Sequence, residues 1–189
     1  MDRIYIFLAP GYEPLEALAP ADVLKRAKLD VRFVATEGGP VPPSTQQYGI
    51  VPDLQWGEFL SELKAGVRIA AMIFPGGLPG ADFLGANEAL MDVLRAHYAE
   101  GGLTCAICAA PGRVLAPNID VEGRRMTMYA GMENELLEAG ALYTAAGVEQ
   151  DGNLITAKGP GLAIEFGLKI LENLVDPRVY EVVKKAMML

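Results

Sequence analysis

The segment Thr104-Cys105-Ala106-Ile107-Cys108-Ala109-Ala110-Pro111 is the part of this chain best equipped for chemistry. A run of buried-strand character passes directly into small residues and then into a proline that can open a helix. This is the sequence shape of a nucleophile elbow, a turn so tight that only small neighbours fit beside the reactive side chain. Cys108 then falls near the amino end of the next helix. The unpaired backbone N–H groups there stabilise an anion and lower a thiol pKa. A buried, inert cysteine fits the local pattern equally well, and Ala stands where both flanking glycines of a G-x-S-x-G would be. Cys105 and Cys108 also spell Cys-x-x-Cys, but Cys105 reads as strand. Three residues of strand span roughly 10 Å, beyond the reach of a disulfide. Cys105 is therefore expected to be a small core residue.

Other loops offer partners. In Glu13-Pro14-Leu15-Glu16, Pro14 suits the first helical position and Glu16 the third, where a carboxylate complements the helix end. The same carboxyl could point into a cleft. Partly buried beside a thiolate, it would have a raised pKa and could shuttle a proton. Pro75-Gly76-Gly77 reads either as a plain turn or as a set of backbone N–H donors opposite Cys108, an oxyanion hole. Lys158-Gly159-Pro160-Gly161 reads as a loop before a helix whose amides could help hold an anion. His97, the only histidine, lies near the end of a helical pattern and is expected at the surface or helix terminus. A Cys–His hydrolase needs its histidine at the cysteine. No cluster with metal-ligand spacing occurs, and the glycines match neither a dinucleotide fingerprint nor a phosphate loop. No metal or cofactor is expected.

These loops need a scaffold, and strand-like and helix-like segments alternate along the chain. Strands are predicted at Ile4–Ala9, Val31–Ala35, Ile69–Phe74 and Leu103–Ile107. Helices are predicted at Pro14–Lys28 (with Leu15, Leu18, Val23 and Leu24 at helical spacing), Asn87–Glu100, after Pro111, Glu133–Ala139, Gly161–Leu174 and Arg178–Met187. Glu37–Pro43 reads as loop. Asp151-Gly152 is a hairpin turn between Gly147–Gln150 and Asn153–Thr156. The alternation is that of a doubly wound, mostly parallel α/β sheet with helices on both faces. In such sheets the ligand site lies at the carboxyl ends of the strands. That rule selects the loops after Ala9, Phe74 and Ile107.

The 189 residues carry a net charge of −8, with 51% hydrophobic and 21% charged residues. One domain spanning 1–189 is expected, without disulfide staples. The acidic balance leaves no electrostatic footprint for nucleic acid or anionic membrane. No apolar stretch approaches a membrane span, and the run from Ile4 to Pro10 is too short for a secretory signal. With two cysteines and no disulfide framework, a cytoplasmic location is expected.

Together, Ala106-Ile107-Cys108-Ala109-Ala110-Pro111, the early Glu16, Pro75-Gly76-Gly77 and Gly159-Pro160-Gly161 resemble the PfpI/ThiJ superfamily. The similarity runs in order from Ile4 to Leu174 and is strongest to the branch holding the Parkinsonism-associated deglycase and bacterial ThiJ/YajL-like proteins. The resemblance implies a flavodoxin-like fold and a homodimer. It implies Cys108 as nucleophile, Glu16 as the carboxyl on its sulfur, and Gly76, Gly77 and Ala109 around the oxyanion and substrate. Glu13, Tyr129, Lys158 and Pro160 are candidate pocket residues. The implied partner is a small carbonyl compound, such as a reactive 2-oxoaldehyde, or a glycated amino group. Oxidation of the cysteine to a sulfinate, as in a redox sensor, and chaperone activity are alternatives. A protease-like branch places His directly after the cysteine, where this chain has Ala109. Some relatives carry a His at the position of Tyr129, often Arg at Gln46, and Arg at Lys158. Pocket charge is therefore expected to differ from theirs.

Overall fold

The computed structural model describes residues 2–189. Five strands, β1 (Arg3–Leu8), β2 (Val31–Ala35), β3 (Leu54–Gln55), β4 (Ile69–Phe74) and β5 (Leu103–Ile107), run parallel. After a small pair, β6 (Arg125–Met126) and β7 (Leu142–Tyr143), comes the hairpin of β8 (Val148–Asp151) and β9 (Leu154–Ala157). The main sheet has the order β3-β2-β1-β4-β5-β9-β8, with β9 parallel to β5 and β8 the antiparallel edge. The winding reverses between β1 and β4, so the loops leaving these strands part and open a crevice there.

Alternation along β1 divides the core. Ile4, Ile6 and Leu8 face α1 (Pro14–Arg26) and α6 (Ala163–Glu172). Tyr5 and Phe7 face the other side, where Phe59 of α2 (Trp56–Lys64) meets their rings edge-on at centroid distances of 4.9 and 5.4 Å. That layer is completed by α3 (Gly80–Ala86), α4 (Glu88–Ala99) and α5 (Asn134–Glu138). The last helix, α7 (Pro177–Ala186), packs on α6. Helices α1 and α6 approach so closely that a Cβ at Gly167 would lie 2.8 Å from Cα of Pro20. Only a glycine permits this spacing.

Some expectations need correction. Leu15 and Leu18 do not face the core and are 57% and 47% exposed, whereas Ala17, Pro20, Ala21, Val23 and Leu24 are buried with Glu16. After Pro111 there is a single wide turn, Pro111–Leu115, closed by Ala116 N–H on the Pro111 carbonyl at 3.0 Å, rather than a regular helix. His97 is buried at the end of α4, not on the surface, and its Nε2 bonds the Leu103 carbonyl at 3.1 Å. Helices α2 and α3 are additions to the predicted set.

Candidate active site

Cys108 follows β5 directly and has φ +63°, the left-handed region that a residue with a Cβ rarely occupies. Neighbouring elements hold it there. Its amide donates to the Ala157 carbonyl at the end of β9, and its carbonyl accepts from the Tyr129 amide, both at 2.9 Å. Such a backbone costs about 1–3 kcal/mol and persists only where its surroundings enforce it. The side chain is thereby turned away from the strand, and Cys108 is partly exposed. Cys105, three residues earlier, is fully buried in β5.

Glu16 meets this thiol from α1. Glu13 caps the helix, its Oε2 accepting from the Glu16 amide at 2.8 Å, and Pro14 takes the first helical position. Capping by Glu13 therefore places Glu16 on the inner face of the first turn. Glu16 is fully buried and its Oε2 accepts from the Gly76 amide at 2.8 Å. Its Oε1 is buried without a conventional hydrogen-bond partner, and the Cys108 thiol lies against the carboxyl.

The Pro75-Gly76-Gly77 turn after β4 closes the other side. Gly76 fits because nothing projects from it: a Cβ there would lie 2.7 Å from Cys108 Cβ and 2.8 Å from Glu16 Oε2. Its N–H is engaged by Glu16 and its carbonyl accepts from Glu13 N–H at 2.9 Å. Gly76 is thus a clamp on the carboxyl rather than an open amide donor. Gly77 has φ +84°, and a Cβ there would meet the Gly11 carbonyl at 2.4 Å. The amides of Gly77 and Ala109 are the ones directed at the sulfur.

Electrostatics correct one expectation. The thiol is not lowered. Burial, followed by the charge and hydrogen bond of Glu16, pushes it up to about 12, against the opposing pull of the Gly77 and Ala109 amides. Burial likewise pushes the Glu16 carboxyl up to about 7. The two groups behave as a dyad that gives up one proton near neutrality and resists losing the second. The one negative charge then rests on the Glu16 carboxylate, beside a neutral thiol.

The remaining candidates lie around this dyad. Tyr129 is half-exposed, Lys158 lies in the loop after β9, and Pro160 opens the short 3-10 turn Pro160–Leu162. Tyr129, Lys158 and residues 159 to 162 line an open recess. Gln46 is exposed on the loop leading to β3. His97 bonds at the amino end of β5, the opposite end from Cys108. Among the described residues no group of three or more His, Cys, Asp or Glu gathers as a metal cluster, and no helix is long and apolar enough to cross a membrane. Sequence reasoning did not foresee that the Tyr129 amide and the Ala157 carbonyl brace the elbow, since backbone groups leave no residue-type signal.

A thiol on a strained turn, a buried carboxyl and two inward amides at the switch point of a mostly parallel sheet define a cysteine-centred α/β protein. Residues 2–173 match the DJ-1/PfpI family model. The chain is 37% identical over 180 residues to protein dj-1beta of Drosophila melanogaster, covering 95% of this chain and 93% of that protein. It is 34% identical over 165 residues to the glutathione-independent glyoxalase DJR-1.2 of Caenorhabditis elegans, covering 87% and 84%. The crystal structure of Drosophila melanogaster DJ-1beta superposes with a TM-score of 0.87 at 32% identity, covering 100% of this chain and 98% of that one. The chain belongs to the DJ-1/PfpI family.

Proposed function

We propose that this protein is a cysteine-dependent stress-protection enzyme acting on reactive 2-oxoaldehydes or their early adducts with amines. The observation that carries the reading is the meeting of the Cys108 thiol with the buried Glu16 carboxyl. The glyoxalase name of the Caenorhabditis elegans relative supports the same class.

In this reading the Glu16 carboxylate takes the thiol proton as sulfur bonds to the aldehyde carbon. The carbonyl electron pair moves to oxygen, which the Gly77 and Ala109 amides receive. Glu16 returns the proton to that oxygen, giving a hemithioacetal. It then removes the hydrogen from the former aldehyde carbon as a proton and delivers it to the neighbouring carbon, while the hydroxyl proton of the first carbon passes to the ketone oxygen of the second. The first carbon is oxidised and the second reduced, so no external oxidant enters. Water cleaves the resulting thioester, releasing a 2-hydroxy acid and restoring the thiol. A raised carboxyl near neutrality suits a group that must both take and give a proton.

Purified protein incubated with methylglyoxal tests this directly. Loss of the dicarbonyl with formation of lactate is expected, and Cys108→Ala is expected to abolish it. Equal consumption by the variant overturns the reading. A second reading, a redox sensor with little turnover, is favoured by the distance of the only histidine from the thiol. It predicts that peroxide converts Cys108 to a sulfinate before methionines are oxidised. The exposed Leu15 and Leu18 of α1 favour association of two copies through that helix, with a cytoplasmic protein as the working context.

A further inference from the structure

The recess beside Cys108 plays no part in the proton transfers above. It is open, has a volume of about 330 Å³, and is lined by Tyr129, Ala130, Lys158 and residues 159 to 162. Lys158 supplies its one charge. Its place beside the thiol is set by the backbone of Cys108, which bonds Tyr129 through its carbonyl and Ala157, the residue before Lys158, through its amide. The recess therefore lies on the β9 side of the elbow, its lining tied to the Cys108 backbone through Tyr129 and through Ala157, the neighbour of Lys158.

Two features suit this recess to a flat apolar group. Tyr129 is 50% exposed. Beside it, Gly159 leaves its face uncovered, since a Cβ there would sit 3.4 and 3.8 Å from ring atoms Cδ2 and Cε2. That is ordinary contact distance, and φ of 166° at Gly159 is extended backbone open to any residue. Neither backbone strain nor collision calls for glycine here. Its consequence is an open aromatic face. In the proposed reaction, the carbon that bonds Sγ turns its oxygen to the Gly77 and Ala109 amides, which face the sulfur, with Glu16 on the α1 side. The ketone arm is left the β9 side, where the recess lies.

We infer that Tyr129, kept bare by Gly159, selects 2-oxoaldehydes whose ketone carries an aromatic ring over methylglyoxal. This substrate preference rests on the dicarbonyl reading above. The arene stacks on Tyr129 between the ring and the apolar turn at Pro160 and Leu162.

The experiment compares kcat/KM for phenylglyoxal and methylglyoxal in the wild type, Tyr129→Ala, Tyr129→Phe and Gly159→Val. In parallel, Cys108 is alkylated with phenacyl bromide and with bromoacetone, each rate divided by that of a free thiol. There the sulfur–carbon bond forms, the carbon–bromine bond breaks and bromide leaves. An aromatic contact predicts that both aryl-to-methyl ratios fall about fivefold in Tyr129→Ala. They are expected to hold in Tyr129→Phe and to fall in Gly159→Val. Cys108-dependent turnover with unmoved ratios overturns the inference and leaves the dicarbonyl reading standing. Absence of Cys108-dependent turnover overturns the dicarbonyl reading and the substrate preference with it. The alkylation ratios then decide whether the recess selects aromatic groups at all.

Discussion

Gly76 donates its amide to Oε2 of Glu16 at 2.8 Å, while Oε1 is buried without a hydrogen-bond partner and the carboxyl as a whole lies against the Cys108 thiol. The bond fixes the carboxyl plane and stabilises its charged form, but not enough to offset burial, which holds the group at about 7. A carboxyl in that state is a proton carrier at neutral pH. Its stability cost and its chemistry come from the same desolvation.

Glu16 should impose a pH dependence on stability. The folded state raises its pKa from about 4.5 to about 7, so the folded state binds this proton more tightly. Its contribution is therefore most favourable below about pH 4.5 and declines as pH rises to 7. The decline amounts to about 3 kcal/mol. Denaturant unfolding of the wild type and Glu16→Gln at pH 5 and pH 8 is expected to show the variant gaining relative stability by that order. Parallel pH profiles would place the carboxyl outside the buried dyad.

The same substitution removes a negative charge from the thiol. Alkylation of Cys108 in Glu16→Gln is expected to titrate at lower pH than in the wild type, while dicarbonyl turnover falls by about 100-fold for want of the proton carrier. Opposite signs for reactivity and turnover distinguish a proton-transfer role from simple damage to the site, which would depress both.

Strain at Cys108 is measurable by replacement. At φ +63° a glycine is relieved of a penalty of about 1–2 kcal/mol that alanine still bears. Offset by the greater freedom of glycine in the unfolded chain, Cys108→Gly is expected to be about 1 kcal/mol more stable than Cys108→Ala. Both should be inactive. Equal stabilities would mean that the elbow relaxes once the thiol is gone.

Gly77 is predicted to tolerate nothing larger. Positive φ and a Cβ 2.4 Å from the Gly11 carbonyl combine in Gly77→Ala. Destabilisation of at least about 3 kcal/mol, read by thermal or denaturant unfolding, is expected.

His97 offers a control far from the thiol. Burial lowers its pKa from the ordinary value, so the folded state favours the neutral ring. Its contribution is fully present above about pH 6.5 and is lost as pH falls through the lowered folded value. His97→Gln is expected to flatten the melting temperature between pH 8 and pH 5 and to leave Cys108-dependent turnover unchanged.

Residue type made some of this legible and hid the rest. Ile4–Ala9, Ile69–Phe74 and Leu103–Ile107 declare themselves as buried strands because both faces are covered and the apolar runs are unbroken. The elbow follows from small residues crowded behind Cys108. Two short helices escaped detection: Trp56–Lys64 buries only Phe59, and Gly80–Ala86 opens and nearly closes on glycine. Leu15 and Leu18 misled because a helix entering a crevice can bury alanines and a glutamate while leucines face outward. The raised thiol was hidden for another reason. Burial and the Glu16 charge are three-dimensional quantities, and they outweigh the local backbone amides that the sequence suggests.

The contact between Gly167 and Pro20 reaches further than packing. Pro20 stands one helical turn after Glu16, so any side chain at 167 must shift the segment that carries the carboxyl. A survey of inherited variants restricted to cleft-lining positions would pass over residue 167 as harmless. It belongs instead among the positions where a single methyl group, arriving from the far helix, displaces the helix that carries the carboxyl.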